Sequence, residues 1–185
     1  MQIYYPSLQA IEQQTIQLDL ARCAHCQRTR QLVSHGFIRK KRVGADPEAV
    51  GKRVFCSNRN QRTGCGRTMQ LYLDATVRYL HHAGATVMAF VLSLMAGVSI
   101  EQAYLGATGA GTARNGYRWL TRLNAQLTFY RSLSHRPPLR EAGAGAAPNR
   151  SLRLASLMAT FEALLQRFGQ PLCAAYQRQL QGPLL

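Results

Sequence analysis

Two cysteine pairs in the first third of the chain, Cys23-Ala-His-Cys26 and Cys56 with Cys65, restrict the fold more than any other feature. A two-residue spacing lets both sulfurs of one tight turn reach a single ion at about 2.3 Å. Between the pairs lie 29 residues, enough for two strands and a turn to carry the second pair over the first. The arrangement predicts a zinc ribbon with one structural Zn²⁺ held by Cys23, Cys26, Cys56 and Cys65. In a reducing compartment cysteines serve as metal ligands or packed thiols rather than disulfides. Cys173, alone in a helical pattern, reads as a packed thiol.

Four short segments supply the strands of such a ribbon. Thr15-Ile-Gln-Leu-Asp-Leu20 alternates apolar and polar residues, Leu32 to Ile38 forms a strand kinked at Gly36, Lys52 to Phe55 runs into Cys56, and Thr68 to Leu73 closes the set. A unit this small cannot fold on burial alone, so the metal is expected to contribute on the order of 10 kcal/mol. Two other ligand sets remain open, since His25 and His35 lie in the same segment and a site of three cysteines and one histidine is chemically sound. A redox Cys-x-x-Cys is a third reading, although the basic, strand-like stretch after Cys26 lacks the helix that a thioredoxin-like motif opens.

Charge then points to a partner. Lys plus Arg number 23 against 8 for Asp plus Glu, a formal charge of +15 over 185 residues, and such an excess either meets a polyanion or is tolerated as self-repulsion. Residues 21–70 hold 12 basic and 2 acidic side chains, and 86–140 hold 6 and 1. Twenty of the basic residues are arginine, which suits bidentate grip of phosphate and guanine, though GC-rich coding produces the same skew. In the ribbon the candidate nucleic-acid contacts are Arg39, Lys40, Lys41 and Arg42 of the hairpin and Arg59 and Arg62 between Cys56 and Cys65. The alternative is a solvated face that binds nothing in particular.

A helical region follows. Ala85 to Met95 is almost wholly apolar and ends at Gly97; Ser99-Ile-Glu-Gln102 has the form of a capping box that opens a short helix toward Leu105. Gly106, Gly109 and Gly111 are expected to break the chain before a third helix with Thr112 as N-cap. Tyr117, Leu120, Leu123 and Leu127 then share one stripe, with Arg114, Asn115, Arg118 and Arg122 on the other side. This is the order of a helix-turn-helix, whose second helix offers its first turns to major-groove base edges; a generic bundle with a solvated arginine face is the competing reading. The uncharged run Ala83 to Ile100 is read as a buried helix rather than a membrane span, and His81-His82 as surface residues.

Pro137-Pro138 and 141–148 form a Pro/Gly/Ala linker, after which Leu154, Leu157, Met158, Phe161, Leu164, Leu165 and Phe168 mark an amphipathic helix ending at Gly169. That element reads as half of a hairpin folded back on the core, with a homodimer contact through 151–180 as the alternative. Met1 to Leu20 shows no basic segment followed by an apolar run, so a secretory leader is not expected, and the chain is assigned to the cytoplasm, at the bacterial nucleoid.

From Cys23-x2-Cys26 through Ser34-His-Gly36, Arg53-Val-Phe-Cys56 and Cys65-Gly-Arg-Thr68, and then from Ser99 to Leu123, the chain resembles the small zinc-ribbon DNA-binding proteins of bacterial insertion sequences and related mobile elements. The resemblance covers roughly residues 20–130. It implies binding of an element's terminal or regulatory DNA and a transposase or recombinase as partner. The eight residues between Cys56 and Cys65 depart from the usual two or so. No motif suits catalysis: the eight carboxylates form no convincing set for two divalent metals, and no P-loop, GxSxG or HxE…PCxxC is present.

The expected architecture is therefore a small α+β protein with a zinc ribbon of short antiparallel strands over 1–75, an all-α helix-turn-helix region over 76–133, a linker over 134–150 and a C-terminal helical hairpin over 151–185. The expected function is non-catalytic, zinc-dependent binding of duplex DNA as a transposition accessory factor or transcriptional regulator. The other readings are a protein-docking subunit of a larger nucleoprotein complex and a ribbon that binds structured RNA.

Overall fold

Pro6 ends a short opening strand, β1 (Gln2–Tyr5), and Ser7 starts a helix, α1 (Leu8–Ile16), its hydroxyl accepting from the Ala10 N–H at 3.1 Å. The strand expected over Thr15–Leu20 is absent: Thr15 and Ile16 close helix α1, and residues 17–20 form a turn in which the Leu20 N–H donates to the Gln17 carbonyl. Thr15 donates to the Glu12 carbonyl as a helical residue, and of the alternating apolar side chains only Leu18 is buried, Ile16 and Leu20 being 81 % and 79 % exposed. The computed structural model describes residues 2–40, 46–78, 80–109, 112–134 and 150–185. Lys41, Arg42 and nearly all of the expected linker lie outside the described residues.

Strands β2 (Leu32–Lys40), β3 (Glu48–Cys56) and β4 (Thr68–Leu73) fall where alternation placed them, and the sheet runs β1-β4-β3-β2. Its β2–β3 and β3–β4 pairs are antiparallel, but β1 lies parallel to β4, so the sheet is mixed rather than wholly antiparallel. One face packs on α1: Ile11, Leu32, Val54, Met69 and Leu71 form a core that also takes in Cys23 and Cys56. The kink expected at Gly36 is a β-bulge. Register passes from Ser34↔Val54 to Phe37↔Lys52, Gly36 has φ +89°, and the extra residue sends Phe37 to the α1 side, beside the Lys52 ammonium.

The chain divides into two compact units, Met1–Ala83 with Tyr176–Leu184, and Gly84–Ala175 with Leu185. The division by sequence kept 151–185 apart from the ribbon; here the end of α7 (Leu172–Leu180) belongs with the sheet. Buried Gln177 donates to the carbonyls of Asp74 and Thr76 at 2.6 and 3.0 Å and accepts from the Leu184 N–H at 3.3 Å. Gln181 accepts from the Tyr4 N–H and donates to its carbonyl, so its side chain stands in for a further strand along the edge of β1. Asp74 is itself buried, which pushes its carboxyl pKa up, with Arg178 at 3.7 Å pulling it back.

In the second unit α2 (Gly84–Met95), α3 (Ile100–Thr108) and α4 (Ala113–Ala125) each donate one ring to a mutually edge-on trio: Phe90, Tyr104 and Trp119, with centroids 5.1 to 6.3 Å apart. Ser99 caps α3 as expected, accepting from the Gln102 N–H at 3.3 Å. Gly106 does not break the chain but lies inside α3. Thr112 is the N-cap residue of α4 without a side-chain hydrogen bond. Tyr117 is 40 % exposed, Gly116, Trp119, Leu120 and Leu123 taking the buried face instead, and Leu127 starts a separate helix, α5 (Leu127–Ser134). Tyr130 of α5 meets Phe161 of α6 (Arg150–Phe168) edge-on at 5.6 Å, and the expected stripe at Leu157, Phe161, Leu164 and Phe168 is buried within the chain.

Gly116 is a packing residue. A Cβ there would stand 2.9 Å from Tyr104 Cβ and 3.4 Å from an Ile100 methyl, so α3 and α4 meet at a distance that only glycine allows. Gly116→Ala is expected to destabilise the protein by about 1–2 kcal/mol in urea unfolding followed by Trp119 fluorescence, because overpacking of about 1–3 kcal/mol outweighs roughly 1 kcal/mol of helix propensity. Gly106→Ala, where nothing lies within 4 Å, is expected to gain stability. A stabilised Gly116→Ala variant refutes the close approach.

Candidate metal centre and basic surfaces

Four sulfurs converge where the ends of β2 and β3 meet the loop after α1. The Sγ atoms of Cys23, Cys26, Cys56 and Cys65 all lie within 4.8 Å of one another, with Cys23 to Cys65 and Cys26 to Cys56 each at 3.7 Å. Metal–sulfur bonds of about 2.3 Å in a tetrahedron require sulfurs about 3.8 Å apart. The set therefore fits one tetrahedral ion.

Each pair sits in a backbone turn of the same design. In the first, the Gln27 N–H donates to the Cys23 carbonyl at 2.8 Å and the Cys23 N–H to the Arg28 carbonyl at 3.0 Å; in the second, the Gly66 N–H donates to the Cys56 carbonyl and the Cys56 N–H to the Arg67 carbonyl, both at 2.9 Å. Gln27 and Gly66, one residue after the second cysteine of each pair, are left-handed at φ +60° and +72°. The eight-residue spacing is thus a two-residue knuckle with residues 58–63 extruded from it. The Gly64 N–H donates to the Ser57 carbonyl at 2.8 Å and pinches the base of the extrusion. A Cβ on Gly64 would fall 2.3 Å from that carbonyl and 2.7 Å from Cys56 Sγ, so glycine is required at the closing point.

Backbone amides support the sulfurs: His25 N–H to Cys23 Sγ at 3.4 Å and Cys65 N–H to Cys56 Sγ at 3.3 Å. Burial opposes ionisation of Cys23, yet the N–H groups of Cys26 and His25 and the neighbouring thiols hold it at about 7, while burial pushes Cys56 up to about 12. Full ionisation of all four calls for a bound cation, and acid competes with it. Neither histidine joins the sulfurs. The exposed His25 ring lies 3.4 Å from the Arg67 guanidinium, and His35 meets the Phe55 ring. Cys173 is buried in α7, as expected of a packed thiol.

The basic residues divide by use. Lys40 donates to the carbonyls of Val77 and, at 2.7 Å, Leu80, and Arg62 donates to the Arg30 carbonyl at 2.8 Å; both tie the fold together. The extruded loop is held further by Thr63 N–H to Gln31 Oε1 at 2.9 Å and by Arg28 to the Thr63 carbonyl. Gln31 and Arg28 had no sequence signal for this role. Arg59 is exposed on the loop, and Arg39 is exposed with one bond to the Pro47 carbonyl at 3.4 Å. On α4, Arg114, Arg118 and Arg122 are exposed beside Tyr117; Asn115 is half-buried and accepts from Arg118 at 3.3 Å. His82 is half-buried rather than on the surface, and burial, helped by His81, lowers its pKa.

No protein-family model, curated protein or solved structure matches this chain. No helix among the described residues is long and apolar enough to cross a membrane.

Proposed function

We propose that this chain is a non-catalytic DNA-binding protein whose fold depends on one Zn²⁺ held by Cys23, Cys26, Cys56 and Cys65. An all-sulfur tetrahedral set selects zinc over hard cations and leaves no coordination position open for chemistry. The observation that carries the DNA reading is α4: its buried face is spent on the aromatic core, while its exposed face holds Arg114, Arg118 and Arg122 in a helix without one acidic residue. Helix α3, a four-residue connection and α4 follow one another as in a helix-turn-helix, with α4 as the reading helix. Arg59, on a loop braced by the metal knuckle, adds a second contact. The sequence likeness to insertion-sequence proteins points to an accessory factor in transposition or a regulator of a mobile element, acting at the nucleoid.

Selection from random duplex DNA followed by titration across salt concentrations tests this reading. Affinity is expected to fall steeply with salt. Arg114→Ala or Arg118→Ala should relax sequence preference, at about 1–3 kcal/mol of lost discrimination for a base contact. An unenriched library or salt-insensitive binding refutes the proposal, and equal weakening of every sequence would favour nonspecific contact within a larger assembly.

A further inference from the structure

The sheet has a second face, and half of it is open. Strand alternation puts Arg53 and Phe55 opposite Val54 and Cys56, away from α1, and pairing sets Thr68 and Val33 on either side of Phe55, and Gln70 beside Arg53. At one end of this face Tyr4 and Tyr72 stack at 6.1 Å and are buried. At the other end the Phe55 ring is half-buried between two small neighbours, with the exposed His35 ring 6.1 Å away and tilted by 42°. Arg53 is exposed beside them, facing the bulge at Gly36, where β2 offers no paired residue to cover it.

We infer that this open half-face binds unpaired bases of single-stranded DNA, one base stacking on Phe55 and His35 while Arg53 takes the adjoining phosphate. The chemistry selects this occupant. Two adjacent rings on a rigid sheet form a stacking platform that any base can use, a guanidinium beside them supplies the phosphate contact, and Thr68 and Gln70 offer hydrogen bonds at the rim. No acidic side chain stands among these six residues. In duplex DNA the base faces are already stacked on one another, so the platform discriminates in favour of separated strands. A protein that opens or stabilises melted DNA ends has use for such a surface in the same chain as a duplex-reading helix. The inference rests on the reading of the chain as a DNA-binding protein, but engages different residues.

The zinc-loaded protein of residues 1–185 is titrated by fluorescence anisotropy against labelled oligothymidylate and against a random-sequence duplex. Phe55→Ala is expected to weaken oligothymidylate binding about tenfold, the size of one lost base stack, with duplex affinity changed by less than about twofold. Phe55→Trp should retain single-strand affinity, which separates stacking from any effect on folding. Ultraviolet crosslinking of the unmodified protein to oligothymidylate should map to β2 and β3. Unchanged oligothymidylate affinity in Phe55→Ala, equal losses on both probes, or crosslinks confined to other segments would overturn the inference. Duplex binding without any oligothymidylate binding sinks this inference alone; binding of neither probe sinks the parent reading as well.

Discussion

A Cys56→Ser variant is expected to retain no zinc and to lose on the order of 10 kcal/mol of apparent stabilisation, the scale of structural zinc sites near neutral pH. Cys56 is the most telling of the four cysteines. It is fully buried, it ends β3, its sulfur accepts the Cys65 N–H, and its backbone closes the second knuckle on both sides. A serine oxygen there is a poor partner for zinc and too short to complete a tetrahedron sized for sulfur. The checks are metal content by mass spectrometry of the purified protein and the β-sheet signal in circular dichroism during a thermal melt. His25→Ala and His35→Ala should keep one full equivalent of metal. A Cys56→Ser protein that also keeps it, with an unchanged melt, would refute the all-sulfur site.

Gln177→Ala is the second large effect, expected at about 3–5 kcal/mol. The side chain is 0 % exposed, and its loss leaves the carbonyls of Asp74 and Thr76 and the N–H of Leu184 without the partner they have here, each at roughly 1–3 kcal/mol, besides the cavity. Neighbouring Arg178 makes the contrast. Its ion pair with Asp74 is 3.7 Å long and its side chain 51 % exposed, so Arg178→Ala should cost less than about 1 kcal/mol. Denaturant unfolding of both variants decides the matter; a Gln177→Ala protein within 1 kcal/mol of the parent shows that the C-terminal segment is not a structural member of the sheet unit.

Cysteine spacing and strand alternation made the cysteine cluster, β2, β3 and β4 legible, because sulfur chemistry and a period of two are local properties. The strand misassigned over Thr15–Leu20 came from the same rule. Ile16, Leu18 and Leu20 alternate, but Ser7 starts a helix that runs to Ile16 and residues 17–20 turn back from its end, so the alternation falls across a helix terminus rather than along a strand. Strand β1 could not be read, since four residues before a proline carry little pattern and its parallel partner is some 68 positions away. Gln177 and Gln181 were equally silent. A glutamine in an amphipathic helix looks like solvent-facing surface until the backbone carbonyls it satisfies are in place. On α4 the missed burial of Trp119 traces to Gly116, whose contact with Tyr104 turns that face inward and leaves Tyr117 out.

The pinch between Ser57 and Gly64 makes the ligand set and the tip of the loop independent modules. Chain that departs and returns at neighbouring points puts no constraint on the four sulfurs, so the side chains of its tip, Asn58 to Gln61, are free to diverge while the cluster persists. Arg62 and Thr63 bond back to Arg30, Gln31 and Arg28, whereas variation can accumulate at those four positions at little cost to folding. For the same reason a peptide of chosen sequence, spliced in their place, would inherit two rigid, thiolate-anchored ends.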